Sequence, residues 1–273
     1  MTLLVSWIGL DNKKDGPRPS SFYIASDSRI TWGDSAKFDY GKKIFGCKNS
    51  PDIFGYCGDS LFPSIILSQI TDMIDLGLLF TSEMSCKEKA QVVIDRFIHS
   101  FKKYPSQVEG ITTDSLQIIH ATRDEKNDFY TQKMSWLKET NKWTSESMLL
   151  KDHSSKVFAV GSGGPEFLEK LAIYEASSYG RTSRAVFHCF CDTLSNIRVK
   201  SCGGAPQLAG LYRKFNGQFY GVINKRKRYF SGLQIEKNHN LDVLEWRNEL
   251  FEICNPKSMK IKLGAKRRPN LIK

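Results

Sequence analysis

The residue with the most chemistry within its own reach is a threonine that directly follows the initiator methionine. The chain opens Met1-Thr-Leu-Leu-Val-Ser-Trp-Ile-Gly-Leu10. Threonine is small enough that Met1 is expected to be removed in the cytosol. Thr2 would then carry a free α-amine beside its own hydroxyl, so one residue would hold both a nucleophile and a base. A free α-amine titrates near ~8, so much of it is neutral at cellular pH. The plain alternative is that Thr2 is an ordinary residue leading into a strand.

Other reactive residue types lack a productive spacing. The five histidines (His99, His120, His153, His188, His239) show no His-Glu-x-x-His pattern and no serine or cysteine partner motif, so structural or surface roles are expected. The seven cysteines are odd in number and include no Cys-x-x-Cys, which points to buried free thiols in a reducing compartment. No phosphate-binding Gly-x-x-x-x-Gly-Lys-Ser/Thr loop is present. No metal or cofactor is expected.

At 273 residues the chain can hold one large domain or two small ones, with ample apolar content for a core. No run approaches the ~18 apolar residues of a membrane span. The apolar N-terminus lacks the preceding basic residues and the small-residue cleavage site of a signal peptide, so it reads as a strand in a cytoplasmic protein. Of the net charge of +11, nearly all belongs to the last quarter, where residues 201–273 hold fifteen Lys plus Arg against five Asp plus Glu.

The elements that would position Thr2 read as follows. Residues 2–10 and 21–30 are strands joined by a turn or loop at 11–20. Residues 42–47 and 52–57 form a short hairpin. Apolar spacing predicts helices over 59–77 and 85–104, with Ser85 and Glu88 forming a capping box. Strands return at 115–122, 128–135 and 155–160, with a polar insert between the last two. Helices follow at 165–179 and 182–194, then strands at 208–214 and 218–223. The tail is basic and ends in a Lys-Arg-Arg run at 266–268. Strands, two helices, strands, two helices, strands is the order of an α+β domain with antiparallel sheets packed face to face and helix pairs outside.

Four pieces line up with one family: Thr2 opening a strand; Ile24-Ala-Ser-Asp-Ser-Arg-Ile-Thr31; Lys42-Lys43-Ile-Phe45 followed by Phe54-Gly-Tyr-Cys-Gly58 entering a helix; and Ala159-Val-Gly-Ser-Gly-Gly-Pro165 entering another. Together they resemble the proteasome β-subunits and their bacterial HslV-type relative, which are N-terminal-nucleophile (Ntn) hydrolases. The resemblance runs from Thr2 to about Ser195. It implies a four-layer αββα sandwich, taken here over residues 1–223; residues 224–273 match nothing in the family and are expected, from their charge, to be a basic extension, partly disordered or docking. It implies Thr2 as the nucleophile, Lys43 as the catalytic lysine whose cation favours the neutral amine, and Asp27 as that lysine's partner. It implies Gly58 N–H in an oxyanion hole, Ser162 near the amine, and Asp192 with Ser195 holding the N-terminus. Thr31 matches a residue whose backbone binds substrate as an added strand.

The chain departs from the pattern in places. The Gly-Gly expected directly after Asp192-Thr-Leu-Ser195 stands at Gly203-Gly204. A second alignment places Cys202 where Ser195 stands and Val199 at the aspartate; Asp192 and Ser195 are preferred. Thr112-Thr113 could mimic a nucleophile exposed by cleavage, but no Ala-x-Asp-Ser-Arg follows it. The implied function is a threonine peptidase acting on peptides or unfolded proteins, assembled as a homo-oligomeric ring and served by an ATP-dependent unfoldase. Alternatives are a catalytically silent Ntn-fold subunit, with a basic tail for a protein or nucleic-acid partner, or a small-amide hydrolase on the same fold.

Overall fold

The structure, a computed structural model, describes residues 2–265 apart from 14–15, 34–35, 106, 109–110 and 148–152. Met1 and the basic run at 266–268 therefore lie outside the described residues.

In chain order the elements are β1 (Leu4–Lys13), β2 (Gly16–Ser26), β3 (Ile30–Trp32), β4 (Ala36–Phe38), β5 (Ile44–Gly46), β6 (Asp52–Gly58), α1 (Leu61–Asp75) and α2 (Cys86–Phe101). Then come β7 (Gln107–Val108), β8 (Ile111–Thr112), β9 (Ser115–Arg123), β10 (Phe129–Leu137), β11 (Lys142–Ser147), β12 (Ser155–Val160), α3 (Gly164–Glu175) and α4 (Ser183–Asn196). The chain continues through β13 (Gln207–Tyr212), β14 (Gln218–Phe219), β15 (Gly221–Asn224), β16 (Lys227–Phe230), β17 (Leu233–Ile235), β18 (Trp246–Asn248) and β19 (Ile253–Cys254). This is a mixed α/β protein with several sheets and four α-helices among the described residues. None of those helices is long and apolar enough to cross a membrane.

The first sheet has the order β12-β1-β2-β13-β14 and the second β11-β10-β9-β6-β5. β1 lies inside the first sheet and is buried on both faces, which explains its nearly continuous apolar run. Leu3, Val5 and Trp7 pack with Phe167, Phe187 and Phe190 of α3 and α4, while Leu4 and Ile8 turn to the other side and meet Ile53, Ile119 and Ala121 of the second sheet. The far face of the second sheet packs on α1 and α2 through Tyr56, Phe62, Val93, Phe97 and Trp136. Local signals fix the helix ends. Glu88 N–H donates to Ser85 Oγ and Ser85 N–H to Glu88 Oε2, the reciprocal capping box.

Three segments differ from the sequence reading. Much of the expected loop at 11–20 is strand, paired out to Lys13↔Gly16. Beyond Ser21, β13 no longer pairs with β2. Pro17 and Pro19 therefore sit on a stretch of β2 that pairs with β1 alone among the described strands, where a missing N–H is tolerated. The polar insert contains β11, an edge strand whose mostly exposed Lys-Trp-Thr-Ser-Glu-Ser needs no apolar alternation. A third sheet, β17-β16-β15-β18-β19, occupies residues 221–254, and the expected boundary at 223/224 falls inside β15.

Trp7 is fully buried among Tyr23, Phe187 and Phe251, with its ring stacked 5.1 Å from that of Tyr23. We predict that Trp7→Ala lowers the stability measured by urea unfolding by about 3–5 kcal/mol.

Candidate active site

Antiparallel pairing gathers distant parts of the chain at one end of the sheets. β1 begins between the end of β2 and the end of β12, since Leu4 pairs with both Ser26 and Val160. β13 begins at the same end, with Gln207 opposite Ser26. In the second sheet β5 begins and β6 ends together. The residues just outside these strand ends are Thr2, Asp27, Lys43, Ser162 and the 201–206 segment.

Three of the expected residues are in direct contact. The Lys43 ammonium donates to Thr2 Oγ1 at 2.8 Å and to Asp27 Oδ1 at 2.8 Å. Exposure is 2 % for Thr2 and Lys43 and 0 % for Asp27, so this is a desolvated ion pair presented to a hydroxyl. Asp27 is also satisfied by backbone. Its Oδ1 accepts from Leu3 N–H (3.2 Å), and its Oδ2 accepts from Gly203 N–H (2.9 Å) and Arg29 N–H (3.2 Å). Arg29 in turn forks onto Asp39 at 2.6 and 2.9 Å and donates to the Cys202 carbonyl, clamping the loop that delivers Gly203. A Cβ on Gly203 would lie 2.4 Å from the Arg29 guanidinium carbon, so a side chain there would push the guanidinium off Asp39.

Gln207 is a residue the sequence reading missed. Its Oε1 accepts from Lys43 N–H at 3.1 Å. Its Nε2 lies within 3.1 Å of the Asp27 carbonyl, Ser28 Oγ and the Gly41 carbonyl. One buried amide thus ties the backbone carrying Lys43 to the backbone carrying Asp27. The only sequence signal was a polar residue at the head of an otherwise apolar strand, Gln207-Leu-Ala-Gly-Leu-Tyr212.

Ser162 lies next to the threonine through its neighbours. Gly163 N–H donates to the Thr2 carbonyl at 3.2 Å, and Gly161 adopts φ +85° so closely against Thr2 that a Cβ would sit 2.1 Å from its carbonyl oxygen. Ser162 Oγ is 3.2 Å from Ser201 Oγ and 3.5 Å from Cys202 Sγ. Burial, with the Asp27 charge nearby, pushes the Cys202 thiol up, so it stays protonated. Asp192 and Ser195 are not brought to this cluster. Asp192 turns to Lys170, Tyr174 and Asn196 on the α3–α4 pair, and Ser195 is exposed at the end of α4. Of the residues in the two alignments, Cys202 is the one within reach of Ser162. The reason is geometric: α4 runs to Asn196, and only the segment after it crosses back to the strand ends.

Gly58 closes β6 at φ +97°, with Ser115 O where a Cβ would be. Thr31 lies in β3, whose ribbon partner is β4. Among the described residues, no group of three or more His, Cys, Asp or Glu side chains is arranged to hold a metal ion.

No protein-family model matches the chain, and no curated protein does. Solved structures do. One is a Gly-1 mutant of Anbu from Hyphomicrobium sp. strain MC1, aligned over 86 % of this chain and 89 % of that one, with a TM-score of 0.51 and 14 % identity. Anbu is an HslV-like, proteasome-related protein of the Ntn fold, and at this identity the likeness is one of fold alone.

Removing the Gln207 side chain would strand Lys43 N–H and two backbone carbonyls in a dry site. We predict that Gln207→Ala costs about 3 kcal/mol in urea unfolding, where an exposed polar residue costs almost nothing.

Proposed function

We propose that this protein is a threonine peptidase of the proteasome-like Ntn type, with Thr2 as its nucleophile once Met1 is removed. The observation that carries this reading is the Lys43 ammonium held between Thr2 Oγ1 and Asp27. A buried cation on a hydroxyl favours its ionised form, and a carboxylate behind the lysine pairs with that cation and aims it. A salt bridge with no reactive task would gain little from being dry and placed against a threonine.

In the proposed reaction Thr2 Oγ attacks the substrate carbonyl carbon while the Thr2 α-amine takes the hydroxyl proton. Gly58 N–H, at the strand-to-helix turn, would stabilise the oxyanion. The protonated amine would then return its proton to the leaving amine, producing an acyl ester on Thr2. Water, deprotonated by the same amine, would release the product acid. Ser162, with Cys202 and Ser201, would position the amine. The peptide would lie along the edge of β3 at Thr31 as an added strand.

We read the fold as a four-layer αββα sandwich, supported by the three apolar clusters between successive layers. A ring assembly enclosing the site, cytoplasmic and fed by an ATP-dependent unfoldase, accompanies this reading. That Asp192 and Ser195 lie away from Ser162, with Cys202 within its reach instead, favours one second reading, a silent subunit in which the amine is never activated.

The test is hydrolysis of an unfolded protein and of fluorogenic peptides. The expected outcome is turnover that Thr2→Ala and Lys43→Ala each reduce by roughly a thousandfold, with part of it kept by Thr2→Ser. Equal turnover by wild type and Thr2→Ala would overturn the assignment. No turnover by a protein that has lost Met1 would favour the silent subunit.

A further inference from the structure

At the other end of β1 lies a second concave surface that the peptidase reading does not use. β1 carries the chain from the threonine to Gly9, Leu10 and Asp11, roughly 25 Å at about 3.3 Å per residue. There a groove of about 1020 Å³ opens between the β1–β2 arm, the start of α4 and the end of β13. Among the described residues five cations line it (Arg181, Arg184, Arg213, Lys214 and Arg247), against one lining carboxylate, Asp11. They come from three separate parts of the chain, so the clustering is a product of folding and not a run of basic residues.

Two of the five are built in. Arg247 is held by Glu245 at 2.6 Å and by the Phe251 carbonyl, with its guanidinium over the Tyr220 and Phe251 rings. Arg213 is fixed by the Pro19 carbonyl at 2.7 Å and approaches Asp11 at 3.5 Å. Arg181 and Lys214 make no ion pair among the described residues. Arg181 is held at φ +56°, an uncommon conformation for a side chain of its size, directly before the Thr182 cap of α4. Thr182, Ser183 and Arg184 line the groove, which puts the positive end of α4 at it beside Arg181. Tyr23 and Tyr212, hydroxyl to hydroxyl at 2.7 Å, supply polar contacts in the lining, and Phe215 offers an exposed ring.

Like charges crowded round a groove repel one another and destabilise the empty site. Asp11 and Glu245 pair with Arg213 and Arg247, which leaves the charges of Arg181 and Lys214 without an ion pair among the described residues, and such an arrangement is accounted for when the site takes an anion. The volume is at the upper end for small-molecule sites. Guanidiniums also match phosphate oxygens by bidentate hydrogen bonding. We infer that this groove is a binding site for a small ligand bearing two or more phosphates. The inference is independent of the peptidase reading, since it shares no residue with the Thr2 site.

The test is calorimetric titration of the full-length protein with sodium tripolyphosphate, with ATP and with inorganic phosphate, all at one physiological ionic strength. The expected result is saturable one-to-one binding of tripolyphosphate and a much weaker response to inorganic phosphate. The double variant Arg181→Gln, Lys214→Gln should weaken that binding by roughly tenfold to a hundredfold while melting no lower than wild type. A tail variant, Lys266→Gln, Arg267→Gln, Arg268→Gln, should bind as wild type does. ATP binding tighter than tripolyphosphate assigns a nucleotide, and equal binding assigns the oligophosphate itself. The inference is overturned if binding is not saturable, if the tail variant and not the groove variant loses it, or if a single-stranded oligonucleotide binds with affinity that rises with its length.

Discussion

The Lys43 ammonium, closed off from water between the Thr2 hydroxyl and the Asp27 carboxylate, sets the terms for everything around it. Two charges taken out of water are tolerated only when every remaining lone pair and proton has a partner. Here three backbone amides complete the carboxylate, from Leu3, Arg29 and Gly203. Gln207 then completes the backbone around both charges. Each partner arrives on a different strand end or loop, so the ion pair is also a constraint on how the sheets meet. Pairs of this kind add little net stability over apolar residues of the same volume, which is why contact with a hydroxyl points to chemistry.

Antiparallel topology supplies the rest. Because β1 pairs with β2 on one side and β12 on the other, the start of β1 must lie beside two strand ends. A slip of one residue in either register would turn Thr2 away from Lys43 and exchange the two buried faces of β1. The apolar side chains Leu3 to Ile8, divided between the α3–α4 layer and the second sheet, oppose that slip on both faces. Gly161 allows its backbone to come closer to Thr2 than any side chain would permit. The candidate site and the core thus rest on one register.

Much of this was legible in the sequence because it is local. The β1 run, the Ser85 capping box and the helix spacings depend on neighbours in the chain. Thr2, Asp27 and Lys43 could be matched to a family pattern, and they meet in space. What was not legible depends on long-range placement. Gln207 looks like an ordinary polar residue until β13 is laid beside Ser26. Asp192 and Ser195 fit the expected spacing but sit on α4, while the irregular segment after it brings Ser201 and Cys202 to Ser162. Beyond β15, the strands of the third sheet are two to four residues long, too short for any alternation to register. The basic residues of the groove are scattered between positions 181 and 247, and only the fold collects them.

The most direct measurement of the central claim is the intact mass of the purified protein before and after treatment with a peptide epoxyketone, which bonds both the hydroxyl and the α-amine of an N-terminal threonine. The account predicts a mass lacking Met1 and a single adduct that Thr2→Ala abolishes. A protein that retains Met1 and takes no adduct, or an adduct that survives Thr2→Ala, would contradict it.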